Sequence, residues 1–114
     1  DFDPASKRLF LAAQGSDSLV ILDPVRREVL HTLPIGAGPL NVAIEPQTGL
    51  AYVASRGAGT VTVVDAEGRV VANLPVAPFA NHVLPDERGG VLALNKALAP
   101  SDESGNRITR INRK

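Results

Sequence analysis

The chain has 114 residues, of which 44% are hydrophobic, 21% charged and 4% aromatic, with no Cys, Met or Trp. Twelve Lys and Arg balance twelve Asp and Glu, which removes the sequence-independent electrostatic pull expected of a dedicated nucleic-acid or membrane-surface binder. Lack of Cys excludes a disulfide framework, a thiolate metal site, covalently attached c-type haem and a cysteine nucleophile, and no apolar run approaches the roughly 20 residues of a spanning helix.

The chain opens on Asp1 rather than Met, and residues 1–5 (DFDPA) read as the end of a strand entering a turn. A cut start is therefore expected, with any signal peptide upstream. From there the chain repeats itself. Phe2-Asp3-Pro4 matches Ile44-Glu45-Pro46, Phe10-Leu11-Ala12 matches Tyr52-Val53-Ala54, and Leu19 to Asp23 matches Val61 to Asp65, all at an offset of 42. After one deletion in the Asp65–Gly68 turn, Leu33-Pro34 matches Leu74-Pro75 at 41, and Asn41 to Ile44 matches Asn81 to Leu84 at 40. The third copy continues with Gly89 under Gly49 and Val91 to Leu94 under Ala51 to Ala54, and ends with Ile108 to Asn112 under Val61 to Asp65. A fixed period near 40 residues marks stacked supersecondary units.

Each copy holds short apolar and β-branched runs bounded by Gly, Pro, Asn and Asp, without a sustained helical period, so the chain is expected to be all-β. In the middle copy, strand a is expected at Val42–Ile44, strand b at Leu50–Ser55, strand c at Thr60–Val64 and strand d at Arg69–Leu74. Turn ab carries Pro46 and Gly49, and turn cd opens on Asp65, as Asp23 does in the first copy; these residue types suit tight turns. The c strands read LVIL and VTVV rather than alternating, so their sheets are expected to be covered on both faces. Four-stranded antiparallel sheets at this period, stacked face to face, describe the blades of a β-propeller. The Pro-bounded link Gly36-Ala37-Gly38-Pro39 from strand d to the next strand a reads as a crossover between blades.

The run Ile35-Gly36-Ala37-Gly38-Pro39, Val42-Ala43-Ile44-Glu45-Pro46, Gly49, Tyr52-Val53-Ala54-Ser55 and Thr60 to Asp65 resembles the YVTN-type β-propeller repeat, and the match covers nearly the whole chain. The namesake tetrapeptide is degenerate: Phe-Leu-Ala-Ala, Tyr-Val-Ala-Ser and Leu-Ala-Leu-Asn in the three copies. The third copy, with a long polar bc insertion from Ala97 to Asn106, resembles the C-terminal part of YncE-like bacterial propeller proteins. The resemblance implies a ring of about seven blades, usual export to the periplasm or cell surface, and mostly binding or poorly defined roles. Residues 1–114 then form a C-terminal segment of one propeller domain, with repeats at about 1–41, 42–81 and 82–114. These are two and a half to three blades, too few to close a ring alone, and the remaining blades become partners of this segment. The third copy stops after strand c, so that blade is expected to be one strand short.

Alternating strand direction puts the ab and cd turns at one end of a blade and the bc loops and da links at the other. The bc/da end collects Arg56 and Lys96, at equivalent positions after strand b, together with Asn41, Asn81 and His82 where strand a begins. These five are the candidate ligand-binding residues, with an unknown small ligand or protein as partner at that end. The two cations have no turn role and suit an anion. Gln14, the third equivalent residue, breaks the pattern, Asp17, Asp102 and Glu103 offset the charge, and no aromatic residue is expected among them, so nucleic acid is admitted without being favoured.

His82 lacks a second His at metal-ligand spacing, His31 falls on an outer strand, and neither a metal nor another cofactor is expected. Gly36-Ala37-Gly38 and Gly57-Ala58-Gly59 lie between strands rather than before a helix, which refuses a phosphate-loop reading. Gly15-Ser16-Asp17-Ser18 lacks the nucleophile elbow and its helix. Phe10 and Tyr52 read as packing residues, and Arg107, Arg110, Arg113 and Lys114 as a solvated basic end. With no catalytic constellation, the leading reading is a non-catalytic propeller segment presenting a binding surface. The alternative is part of a propeller oxidoreductase or hydrolase whose cofactor or catalytic residues lie in other blades.

Overall fold

The computed structural model describes residues 1–96 and 107–112. The expected bc insertion Ala97–Asn106, with Asp102 and Glu103, and the terminal Arg113 and Lys114 lie outside the described residues. Eleven strands are present among the described residues, in three antiparallel sheets that follow the three copies. The first contains β1 (Phe2–Asp3), β2 (Arg8–Ala13), β3 (Ser18–Asp23) and β4 (Glu28–Pro34). The second contains β5 (Pro39–Ile44), β6 (Ala51–Ser55), β7 (Thr60–Val64) and β8 (Val70–Pro75). The third, with three strands, contains β9 (Ala80–Pro85), β10 (Val91–Asn95) and β11 (Ile108–Ile111). The helical content among the described residues is a single 3-10 turn, Gln14–Ser16.

Strand c of the second sheet lies where the sequence placed it, and its neighbours shift by hydrogen bonding. Strand d begins at Val70 because Asp65 draws Arg69 into the turn, accepting its backbone N–H at 2.9 Å and its guanidinium at 3.0 Å. Strand b begins at Ala51 because the Leu50 carbonyl closes the hairpin with the Glu45 N–H at 2.9 Å. Strand a reaches back to Pro39 through a bulge between Pro39 and Asn41.

A carboxylate organises each ab turn. Asp3 accepts from the amides of Ala5 and Ser6, Glu45 from those of Gln47 and Thr48, and Asp86 from those of Arg88 and Gly90. Asp23 and Asp65 do the same in the cd turns. The carboxylate satisfies turn amides that have no ladder partner.

In the second sheet β6 is buried at every residue and β7 at four of its five, so its middle strands are covered on both faces, while β8 is the exposed outer strand. Toward the first sheet it turns Ile44, Ala51, Val53 and Val64 onto Phe10, Leu19 and Ile21. Toward the third it turns Ala43, Tyr52, Ala54, Val61 and Val63 onto Ala80, Val83, Val91 and Ala93. Phe10 and Tyr52 are core side chains, as expected of them. The first strands of the second and third sheets also pack on each other.

Register corrects one equivalence. The second sheet pairs Pro39 with Ser55 and Asn41 with Ala54; the third pairs Ala80 with Asn95 and His82 with Leu94. Strand a therefore repeats at an offset of 41 rather than 40, making His82 the counterpart of Asn41 and putting Asn81 opposite the bulge residue Leu40. The missing residue belongs to the third ab turn, which closes Pro85 onto Val91 where the second closes Ile44 onto Ala51. Matching Asn with Asn misplaced it, since ladder hydrogen bonds decide register and residue identity does not.

Candidate functional site

At the bc/da end each da link is held between the bc turn it leaves and the bc turn it reaches. The link 35–38 bonds to the first sheet through Ile35 N–H to the Asp17 carbonyl at 3.0 Å. It bonds to the second through Arg56 N–H to the Gly38 carbonyl at 2.8 Å and Ala58 N–H to the Ala37 carbonyl at 3.1 Å. The link 76–79 repeats this with Val76 N–H to the Gly59 carbonyl at 3.0 Å and Lys96 N–H to the Phe79 carbonyl at 3.2 Å. A Cβ on Gly36 would lie 2.8 Å from Thr60 Oγ1, and one on Gly57 would lie 3.1 Å from the Ala37 carbonyl oxygen. The glycine runs therefore exist for close packing of link on turn.

The same bonds place the candidate cations. Arg56 and Lys96 are exposed and occupy equivalent seats, each donating its N–H to the last residue of a da link. That last residue is Gly38 in one link and Phe79 in the other, with φ +67° and +62°. The Arg56 guanidinium lies over the Phe79 ring, 5.9 Å from its centroid, a cation–π arrangement. The expectation that no aromatic residue stands among the cations is thus corrected. Phe79 follows Pro78 in a link, outside the apolar strand pattern, and nothing in its local sequence shows that the fold lays it beneath Arg56. Arg56, Gly57, Gly59, Val76, Pro78 and Phe79 line a cleft of ≈ 370 Å³.

The other three candidates separate. Asn41 is committed to structure: its Oδ1 accepts the Val83 N–H at 2.9 Å, bridging β5 to β9. His82, its counterpart, is exposed on the face of the third sheet turned away from the second. Asn81 is half-buried at the bulge. The fold therefore sets the Arg56 guanidinium over the Phe79 ring and ties Lys96 to Phe79 by a backbone bond, while of the five candidates Arg56 alone lines this cleft.

At the opposite end Arg110, read above as part of a solvated basic end, bonds Asp86 through Nε at 2.7 Å. That bond, followed by the Arg88 amide, holds the Asp86 carboxyl below its ordinary range. The Arg69 backbone amide, followed by its guanidinium, does the same for Asp65. His31 packs on the cd turn of the neighbouring sheet, where a Cβ on Gly68 would meet its ring at 2.7 Å. Among the described residues no three His or carboxylates cluster to hold a metal, and no helix is long and apolar enough to cross a membrane.

No protein-family model and no curated protein matches the chain. Solved structures do. Hydrazine synthase from Kuenenia stuttgartiensis superposes with a TM-score of 0.78 at 18% identity, over 84% of this chain and 28% of that one. A protein of unknown function from Bacteroides caccae gives 0.78 at 15% identity, over 98% of this chain and 44% of that one. A provisionally assigned 6-phosphogluconolactonase from Bacteroides uniformis gives 0.69 at 16%, over 96% of this chain and 38% of that one. The three sheets are blades of a partial β-propeller. The chain spans less than half the length of these solved chains.

The blade register shows what the outer faces are suited for. Leu94 and Ile108 pair across the third blade as Ala54 and Val61 pair across the second. Ala54 and Val61 are 0% exposed against the next blade, whereas Leu94 and Ile108 are 37% and 67% exposed. Leu11, the counterpart of the fully buried Val53, is 41% exposed on the outer face of the first blade.

Proposed function

We propose that this chain is a non-catalytic segment of a β-propeller of the YVTN repeat type, which binds an anionic ligand at its bc/da end. The observation that carries the reading is the Arg56 guanidinium held over Phe79 at the mouth of a cleft, with no carboxylate partner among the described residues. Lys96 adds a second positive charge on the following blade, and neither cation has a side-chain bond to a turn among the described residues.

Further blades of the same propeller are the proposed partners across the apolar outer faces, since association hides such patches. Export to the periplasm or cell surface is proposed on the YVTN resemblance, and fractionation of the full-length protein tests it. Nucleic acid is disfavoured by the zero formal charge.

The binding reading is tested by titrating phosphate and acetate into the protein and following the Arg56 and Lys96 resonances. The Arg56→Ala, Lys96→Ala double variant should weaken binding by more than about 1.5 kcal/mol, and raised salt should act in the same direction. Unchanged affinity identifies both as solvated loop charges.

A further inference from the structure

The two da links of this chain are closed differently, and the difference describes a ligand. In the first, the Gly38 N–H donates to a carboxylate, Asp17 Oδ1, at 2.9 Å. Asp17 is left-handed at φ +49° in its bc turn, and its counterpart in the next bc turn is Gly59, left-handed at φ +65°. Both residues accept the corresponding link amide on their carbonyls, Ile35 N–H on Asp17 and Val76 N–H on Gly59. The frames match, but Gly59 has no carboxylate. The Phe79 N–H, counterpart of Gly38 N–H, has no acceptor among the described residues, and Gly59 and Phe79 both line the ≈ 370 Å³ cleft.

A second substitution runs in parallel. The residue three positions before Asp17 is Gln14, and the residue three before Gly59 is Arg56. Where the carboxylate is built in, its neighbour is neutral; where it is missing, its neighbour is a cation lining the cleft. A link amide with no acceptor among the described residues, lining one cleft with a guanidinium, is the donor set that a carboxylate satisfies, by one backbone bond and one charge-assisted bond.

We propose that the cleft at Gly59 and Phe79 takes a carboxylate ligand, whose oxygen occupies the position that Asp17 Oδ1 occupies one blade earlier. The ring of Phe79 forms an apolar wall beneath Arg56, so the rest of the ligand is accommodated along Val76 and Pro78. The proposal rests on the anion-binding reading above and narrows it to carboxylates. The carboxylate comes either from a small organic acid or from a peptide, and the shared donor set recognises both.

The experiment is an amide-resolved NMR titration of the protein at constant ionic strength, using acetate, a blocked peptide bearing one Asp, a peptide with a free C-terminus, and inorganic phosphate. Carboxylates are expected to move the Phe79 amide downfield and to shift the Arg56 Nε resonance. The arm with the tightest binding identifies the source. Gly59→Asp should fill the seat from within: a Cβ there meets only the Pro78 Cα at 3.7 Å, and Asp tolerates left-handed backbone. That variant should show the Phe79 amide already shifted and lose carboxylate affinity by about tenfold or more, while Gly59→Asn keeps the backbone without the charge and loses less.

The reciprocal variant, Asp17→Gly with Gln14→Arg, should make the Gly38 amide respond to acetate, which tests the seat even if Gly59→Asp folds poorly. Phosphate shifting Arg56 while no carboxylate moves the Phe79 amide overturns the carboxylate assignment and leaves the anion-binding reading standing. Silence of Arg56 and Phe79 toward every probe overturns both.

Discussion

Phe79 holds the left-handed backbone position, φ +62°, that Gly38 holds at +67° one blade earlier. An L-residue in that conformation costs about 1–2 kcal/mol, from which Gly is exempt. Phe79 is half-buried, and its ring carries the Arg56 guanidinium. Backbone strain of this kind persists where surrounding structure holds it, and it gathers at binding sites.

Phe79→Ala and Phe79→Gly separate strain from contact. Both lose the ring, but only Gly escapes the left-handed penalty, so the Gly variant should be the more stable of the two by about 1 kcal/mol. Urea unfolding of the pair measures this. A more stable Ala variant would show that the backbone is relaxed there.

Gly68 and Gly49 are both left-handed, at φ +82° and +73°, yet a Cβ on Gly68 would meet the His31 ring at 2.7 Å while one on Gly49 meets nothing within 4 Å. Gly49→Ala should cost about 1–2 kcal/mol from backbone alone. Gly68→Ala should cost about 2–4 kcal/mol, because overpacking adds to strain. The excess should shrink in a His31→Ala background, as a double-mutant cycle in denaturant would reveal.

Asn41→Ala removes the acceptor of the Val83 N–H, and Val83 is buried in the core between the second and third blades. Leaving that donor unpaired should cost about 1–3 kcal/mol. Asn41→Asp keeps an acceptor and should cost less. Equal losses in the two variants would mean that packing, not the bond, matters there.

Asp86 and Asp65 have carboxyls held below the ordinary aspartate range, by Arg110 and by the Arg69 amide respectively. A folded-state value below the unfolded one, about 3.9, means that the unfolded chain takes up protons first as the solution is acidified. The stabilisation is then complete above the unfolded value and is lost as pH falls through the folded value. Urea midpoints should decline below about pH 4, and the decline should be shallower in Asp86→Asn. An unchanged slope in that variant would remove Asp86 from the account.

The sequence alone determined the features that depend on local chemistry. Turn carboxylates at Asp3, Glu45 and Asp86 bond amides only two to four residues away, and strand c at Thr60–Val64 shows its burial in an unbroken run of β-branched Val and Thr with no charge among them. A period near 40 residues then implied like sheets stacked face to face, and the blades follow it. Only the tertiary structure decided that His82 rather than Asn81 stands where Asn41 does, because register is set by pairing with β10 and by a turn one residue shorter. It likewise decided that Arg56 and Phe79, 23 positions apart, meet in one cleft. Their meeting depends on how a da link folds back over a bc turn, a geometry built from backbone bonds such as Lys96 to Phe79 that leave no mark on residue type.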